Sequence, residues 1–87
     1  MRIRVRRTGG FAGIERSAEV DTSGRPDAEG WHTLAATVVR EGDGDVRGVP
    51  DGFSYEITVD GATIRCGDPR LTESQRALIT RVLKEGA

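Results

Sequence analysis

The sequence predicts an α+β fold in the order ββαββα, a four-stranded antiparallel sheet with two helices packed on one face. Three observations predict it. Four short stretches alternate apolar and polar residues, the period of a half-buried strand. Two longer stretches repeat apolar residues at the spacing of one helical face. Turn-forming residues separate these stretches, and two hairpins, each followed by a helix, bury their apolar sides best when both helices share one face of the sheet. The 87 residues are expected to form a single domain, 1–87, with a small core that needs no disulfide.

Residues 2–8, RIRVRRT, set Ile3 and Val5 on one face and Arg2, Arg4 and Arg6 on the other. Beyond a glycine run, Ile14, Ala18 and Val20 alternate with Glu15, Ser17, Glu19 and Asp21 as a second strand. Arg16 interrupts the apolar side, so its head has to escape at a sheet edge. TSGRP is a break, and Asp27 follows as the expected N-cap of a helix. Trp31, Leu34, Ala35 and Val38 form the buried face of that helix, with Trp31 as its large core residue and Gly42 as its stop. Phe53, Tyr55, Ile57 and Val59 alternate with polar residues in the strongest strand signal of the chain. Asp60-Gly61 is a type I′ turn by composition, and Ala62, Ile64 and Cys66 continue the apolar face of a fourth strand. Thr72 with Gln75 makes a capping box for a last helix buried through Leu78, Ile79, Val82 and Leu83.

The outer sheet face then carries Arg2, Arg4, Arg6, Glu15, Glu19, Glu56 and Arg65. Mixed signs predict cross-strand ion pairs, each worth about 0.2–1 kcal/mol, and a solvated surface. Chain direction also places three irregular segments at one end: the RTGGFAG turn, the loop 41–52 and Gly67-Asp68-Pro69. The opposite end is expected to hold both termini, the Asp60-Gly61 turn and the 22–26 connection.

Composition narrows function by exclusion. A net charge of −1 gives no field to draw in nucleic acid or an anionic membrane. No apolar run is long enough to span a bilayer, and MRIRVRRTGG has no apolar stretch behind its basic residues. The cytoplasm is therefore the default location, with non-classical export left open; a monomer without a cofactor is expected. The single Cys66 falls on an apolar strand face and reads as a buried, inert thiol. His32 reads as a surface or boundary residue, and nothing in the pattern brings it to Cys66, so no catalytic constellation emerges and the chain is not expected to be an enzyme.

The run RTGGFAGI, residues 7–14, raises the sharpest functional question. Its glycines lead into a strand and not into a helix N-terminus, which disfavours phosphate binding. Two readings stay open: a structural hairpin with Phe11 folded onto the core, or a tip that presents Phe11 to a partner. Loop EGDGDVRGVPDG, residues 41–52, is likewise either a solvated connection or a contact surface.

Three segments carry a resemblance: RIRVRRTGGFAGIERSAEVD, FSYEITVDGATIRCGD and LTESQRALITRVL. They resemble the emfourin family, proteinaceous inhibitors of thermolysin-like zinc metalloproteases. The strand–TGGFAGI–strand opening is the specific part. The resemblance covers about two-thirds of the chain, the part outside residues 22–52, which match in layout only. The resemblance implies a protein that lies over the protease cleft and blocks it, with a thermolysin-like zinc metalloprotease as its partner. Candidate contacts are then the residues of the three-loop end: Gly9, Gly10, Phe11, Ala12, Gly13, Asp43, Gly44, Asp45, Val49, Pro50 and Asp68. Phe11 would anchor in the apolar pocket of the cleft, the glycines would allow close backbone approach, and a carboxylate of Asp43, Asp45 or Asp68 would approach the zinc. The alternative is a small interaction or nucleic-acid-binding module that uses the arginine-rich sheet face.

Overall fold

The computed structural model describes residues 1–9, 15–44, 52–68 and 70–87. Element order is the expected one: β1 (Arg2–Gly9), β2 (Arg16–Asp21), α1 (Ala28–Glu41), β3 (Phe53–Val59), β4 (Ala62–Gly67) and α2 (Glu73–Glu85). All strand pairs are antiparallel, in the spatial order β2-β1-β3-β4. Ile14, expected at the start of the second strand, lies outside the described residues.

Register follows from the alternation. Ile3 stands opposite Val20 and Val59, and Val5 opposite Ala18 and Ile57, which sends every one of these side chains to the same face. Trp31, Ala35 and Val38 of α1, and Leu78, Ile79, Val82 and Leu83 of α2, close over that face as one core. Fully burying an aliphatic side chain of this size contributes about 1.5–3 kcal/mol. Asp60 and Gly61 both have positive φ, 47° and 91°, so the β3–β4 turn is type I′ as its composition requires. Thr72 and Gln75 form the reciprocal capping box, and Gln75 is itself buried.

The outer face carries its expected ion pairs, Arg2–Glu19 at 3.7 Å, Arg6–Glu15 at 3.0 Å and Arg65–Glu56 at 3.7 Å. Helix α2 crosses the other face obliquely. Its first turn lies near Cys66 of β4, where Gly44 packs between Cys66 and Gln75. Its last turn lies on β2, where Leu83 O accepts from Arg16 Nη2 at 2.7 Å and Gly86 abuts Ala18 and Glu19. Arg16 thus escapes at an edge strand, as expected.

Asp27 occupies the N-cap position of α1, but its side chain makes no cap hydrogen bond. The buried Trp31 indole N–H needs an acceptor, and Asp27 Oδ2 supplies it at 3.1 Å. The same carboxylate accepts from Arg25 Nε at 3.0 Å and Arg81 Nη2 at 2.9 Å, and Glu85 accepts from both arginines. The two guanidiniums flank the Trp31 ring at 5.4 and 4.2 Å from its centroid. This knot joins the 22–26 connection to both helices.

Both rims of the sheet are occupied partway along. Glu19 on β2 exchanges two backbone hydrogen bonds of 3.1 Å with Ala87. On β4, Arg65 N–H donates to Asp43 Oδ1 at 2.8 Å, and Arg65 O accepts from Gly44 N–H at 2.8 Å. The C-terminal residue therefore stops against the middle of β2, whereas the N-terminus does lie at the turn end, where Met1 O accepts from Thr22 N–H.

Candidate functional site

The stems of the three irregular segments meet at one end of the sheet. Gly9 stands opposite Phe53, so the end of β1 adjoins the segment that leads out of loop 41–52. Phe53 O accepts from Asp68 N–H at 2.9 Å, which ties the third segment to the same strand. Asp43 and Gly44 hold the other end of loop 41–52 on β4. Thr72 Oγ1 donates to Glu41 Oε1 at 2.9 Å and fastens the end of α1 to the start of α2 beside them.

Glycine is demanded at Gly9 twice over. Its φ is +93°, and a Cβ there would stand 2.9 Å from Gly52 O. Gly44 is demanded by packing alone, since a Cβ would meet Cys66 Cβ at 3.1 Å and Gln75 Nε2 at 3.3 Å. These close approaches fix the loop stems against rigid strands, which lowers the entropy lost when such loops bind a partner.

Among the expected contact residues, the structure brings Gly9, Asp43, Gly44 and Asp68 to this end. Gly10, Phe11, Ala12, Gly13, Asp45, Val49 and Pro50 lie outside the described residues. Asp43 is engaged by the Arg65 amide. Asp68 lies beside the Tyr55 hydroxyl, whose pKa is raised by burial first and by the Asp68 charge next. Burial, followed by the charges of Asp68 and Asp43, pushes the Cys66 thiol up to about 11. Cys66 is buried, in keeping with an inert thiol. His32 is at the other end, with Nε2 2.9 Å from Thr22 Oγ1, so no Cys–His pair forms.

Phe53 and Arg7 escaped the sequence reading of this end. Phe53 is half-buried, with its ring 6.4 Å from Tyr55 and the Arg7 guanidinium 4.3 Å above it. The signal was present in its position directly after Gly52, where the apolar strand face runs out beyond the helices. On the outer face, the pairing of Arg2, Arg6 and Arg65 with glutamates leaves less free positive charge for nucleic acid than the arginine count suggests. Among the described residues no helix is long and apolar enough to cross a membrane.

A search of curated proteins and a search of solved structures each found no match. The family model for emfourin matches residues 5–83, which includes the 22–52 stretch where the sequence resemblance was one of layout only. With nearly the whole length matched and the expected ββαββα order in place, the chain belongs to the emfourin family.

Proposed function

We propose that this protein inhibits a thermolysin-like zinc metalloprotease by seating its three-loop end over the active-site cleft. The observation that carries this reading is the convergence of three loop stems on one sheet end, each pinned by backbone hydrogen bonds or glycine contacts. Family membership supplies the class of partner. Phe11 is the anchor for an apolar pocket of the enzyme, and the surrounding glycines let backbone approach closely. Asp43 and Asp68 serve this role from within, by holding loop stems and not by reaching for zinc. Inhibition is then occlusion of the cleft, with no chemistry performed by the inhibitor.

The test is titration of the protein into several thermolysin-like proteases with a peptide substrate, alongside the Phe11→Ala variant. Wild type is expected to inhibit at micromolar concentration or below. Loss of a central aromatic anchor costs about 2 kcal/mol or more, roughly thirtyfold in the inhibition constant. Absence of inhibition across the proteases would refute the reading, and an undiminished Phe11→Ala variant with an intact fold would remove Phe11 as the anchor.

A further inference from the structure

Among the described residues, the oblique path of α2 leaves one corner of the helix-covered sheet face uncovered, at the loop end of β1 and β2. Inward-facing positions that hold Ile3, Val5, Ala18 and Val20 further along the strands are taken by Arg7 and Arg16, which stand directly opposite each other. We propose that this corner is a binding site for a carboxylate carried on an apolar stem.

The groove there has a volume of about 440 Å³ and is lined by Arg7, Arg16 and Lys84 with Tyr55, Ile79 and Leu83. Its described lining holds three cations and no acid. Like charges directly opposite across two strands are unfavourable, and elsewhere on this sheet Arg2, Arg6 and Arg65 each meet a glutamate. Arg7 and Arg16 make no ion pair with another described residue. Among the described residues, Arg7 Nε is buried and has no hydrogen-bond partner, in a place where donors are normally matched.

Both guanidiniums are already oriented. The Arg7 group is stacked on Phe53 at 4.3 Å, and Arg16 is held by its bond to Leu83 O at 2.7 Å. Planar arginine forks suit the planar carboxylate, and little side-chain freedom remains to be lost on binding. Ile79, Leu83 and the Tyr55 ring supply an apolar wall, which selects a carboxylate with a hydrocarbon neighbour over a bare inorganic anion. A free apolar acid and the C-terminus of a peptide both present this chemistry. The site lies at the foot of the β1–β2 loop end, but the proposal does not rest on protease inhibition and stands or falls without it.

The experiment follows the arginine Nε–H resonances of ¹⁵N-labelled full-length protein by NMR. N-acetyl-leucine, N-acetyl-leucinamide, a hexapeptide with a free C-terminal leucine, and sodium chloride at matched ionic strength are added in separate titrations. Saturable shifts of Arg7 and Arg16 are expected with both acids and not with the amide. Tighter binding of the hexapeptide assigns the source to a chain terminus, and equal binding assigns it to a free acid; either supports the site. Arg7→Gln is expected to weaken the acid about tenfold or more, in line with loss of hydrogen bonds to a charged group. Arg7→Lys, which keeps the charge and loses the fork, weakens it several-fold in a folded protein. Equal shifts with acid and amide, shifts that merely track chloride, or an Arg7→Lys variant that binds as wild type would each overturn the proposal.

Discussion

Gly9→Ala is the substitution that most directly tests how the loop end is built. The left-handed φ of +93° costs a residue with a Cβ about 1–2 kcal/mol. The new methyl would also stand 2.9 Å from Gly52 O, so backbone has to move, and forced repacking of this kind costs about 1–3 kcal/mol. The sum is about 2–5 kcal/mol. A domain of 87 residues loses about 5 °C of Tm per kcal/mol, so Tm is expected to fall by roughly 10–25 °C. Gly24→Ala is the matched control: φ is +77°, but a Cβ there meets nothing within 4 Å. It should show the backbone cost alone, about 1–2 kcal/mol. Urea unfolding followed by the fluorescence of Trp31, the single tryptophan, measures both variants. Inhibition measured under folded conditions should weaken for Gly9→Ala and hold for Gly24→Ala. Equal destabilisation by the two would refute the claim that the β1 stem and the segment before β3 are pressed together at Gly9.

Three more outcomes are expected. Asp27 has its pKa lowered, chiefly by its hydrogen bond from Arg25, so its contribution to stability is complete above the unfolded carboxylate value of about 3.9 and is lost as pH falls through the lower folded value. Acid unfolding curves should therefore flatten over that range in Asp27→Asn. With its pKa at about 11, Cys66 should react with a thiol reagent at pH 8 about 100-fold or more slowly than a free cysteine, until denaturant exposes it. Asp43→Ala should cost about 0.5–1.5 kcal/mol for the lost bond to the Arg65 amide, whereas Asp43→Asn keeps an acceptor and should leave stability and inhibition nearly unchanged. A collapse of inhibition in Asp43→Asn with stability intact would show that its charge acts on the enzyme instead.

Much of the fold was legible because it is written in local periods. Ile3 and Val5, or Leu78, Ile79, Val82 and Leu83, announce their faces through spacing alone. Strand order is different: the placing of β1 between β2 and β3 is a long-range pairing that no local window contains. The tilt of α2 was hidden for the same reason, and with it the open corner at Arg7 and Arg16. Asp27 illustrates competition between rules, since its position is that of an N-cap while the buried Trp31 N–H and two arginines claim its oxygens. At the candidate site, chain direction sufficed to gather Gly9, Asp43, Gly44 and Asp68 at one end. It could not show that Asp43 spends its carboxylate on a strand amide, because that depends on where Arg65 faces.

The occupied rims set how this protein can meet others. On β4, Arg65 has both backbone groups engaged and Gly67 O accepts from Arg70 N–H; on β2, Glu19 is engaged between Ser17 and Asp21. Within the strands themselves, an engaged residue interrupts each rim, Glu19 on β2 and Arg65 on β4. A further strand, whether from a second copy or from an enzyme that reads extended peptides by lining them up with its own sheet, finds no template of useful length. Self-association into ribbons is discouraged at high concentration, and the body of the protein is hard to mistake for substrate. For the inhibitory role proposed above, this leaves the loop end as the surface to test first.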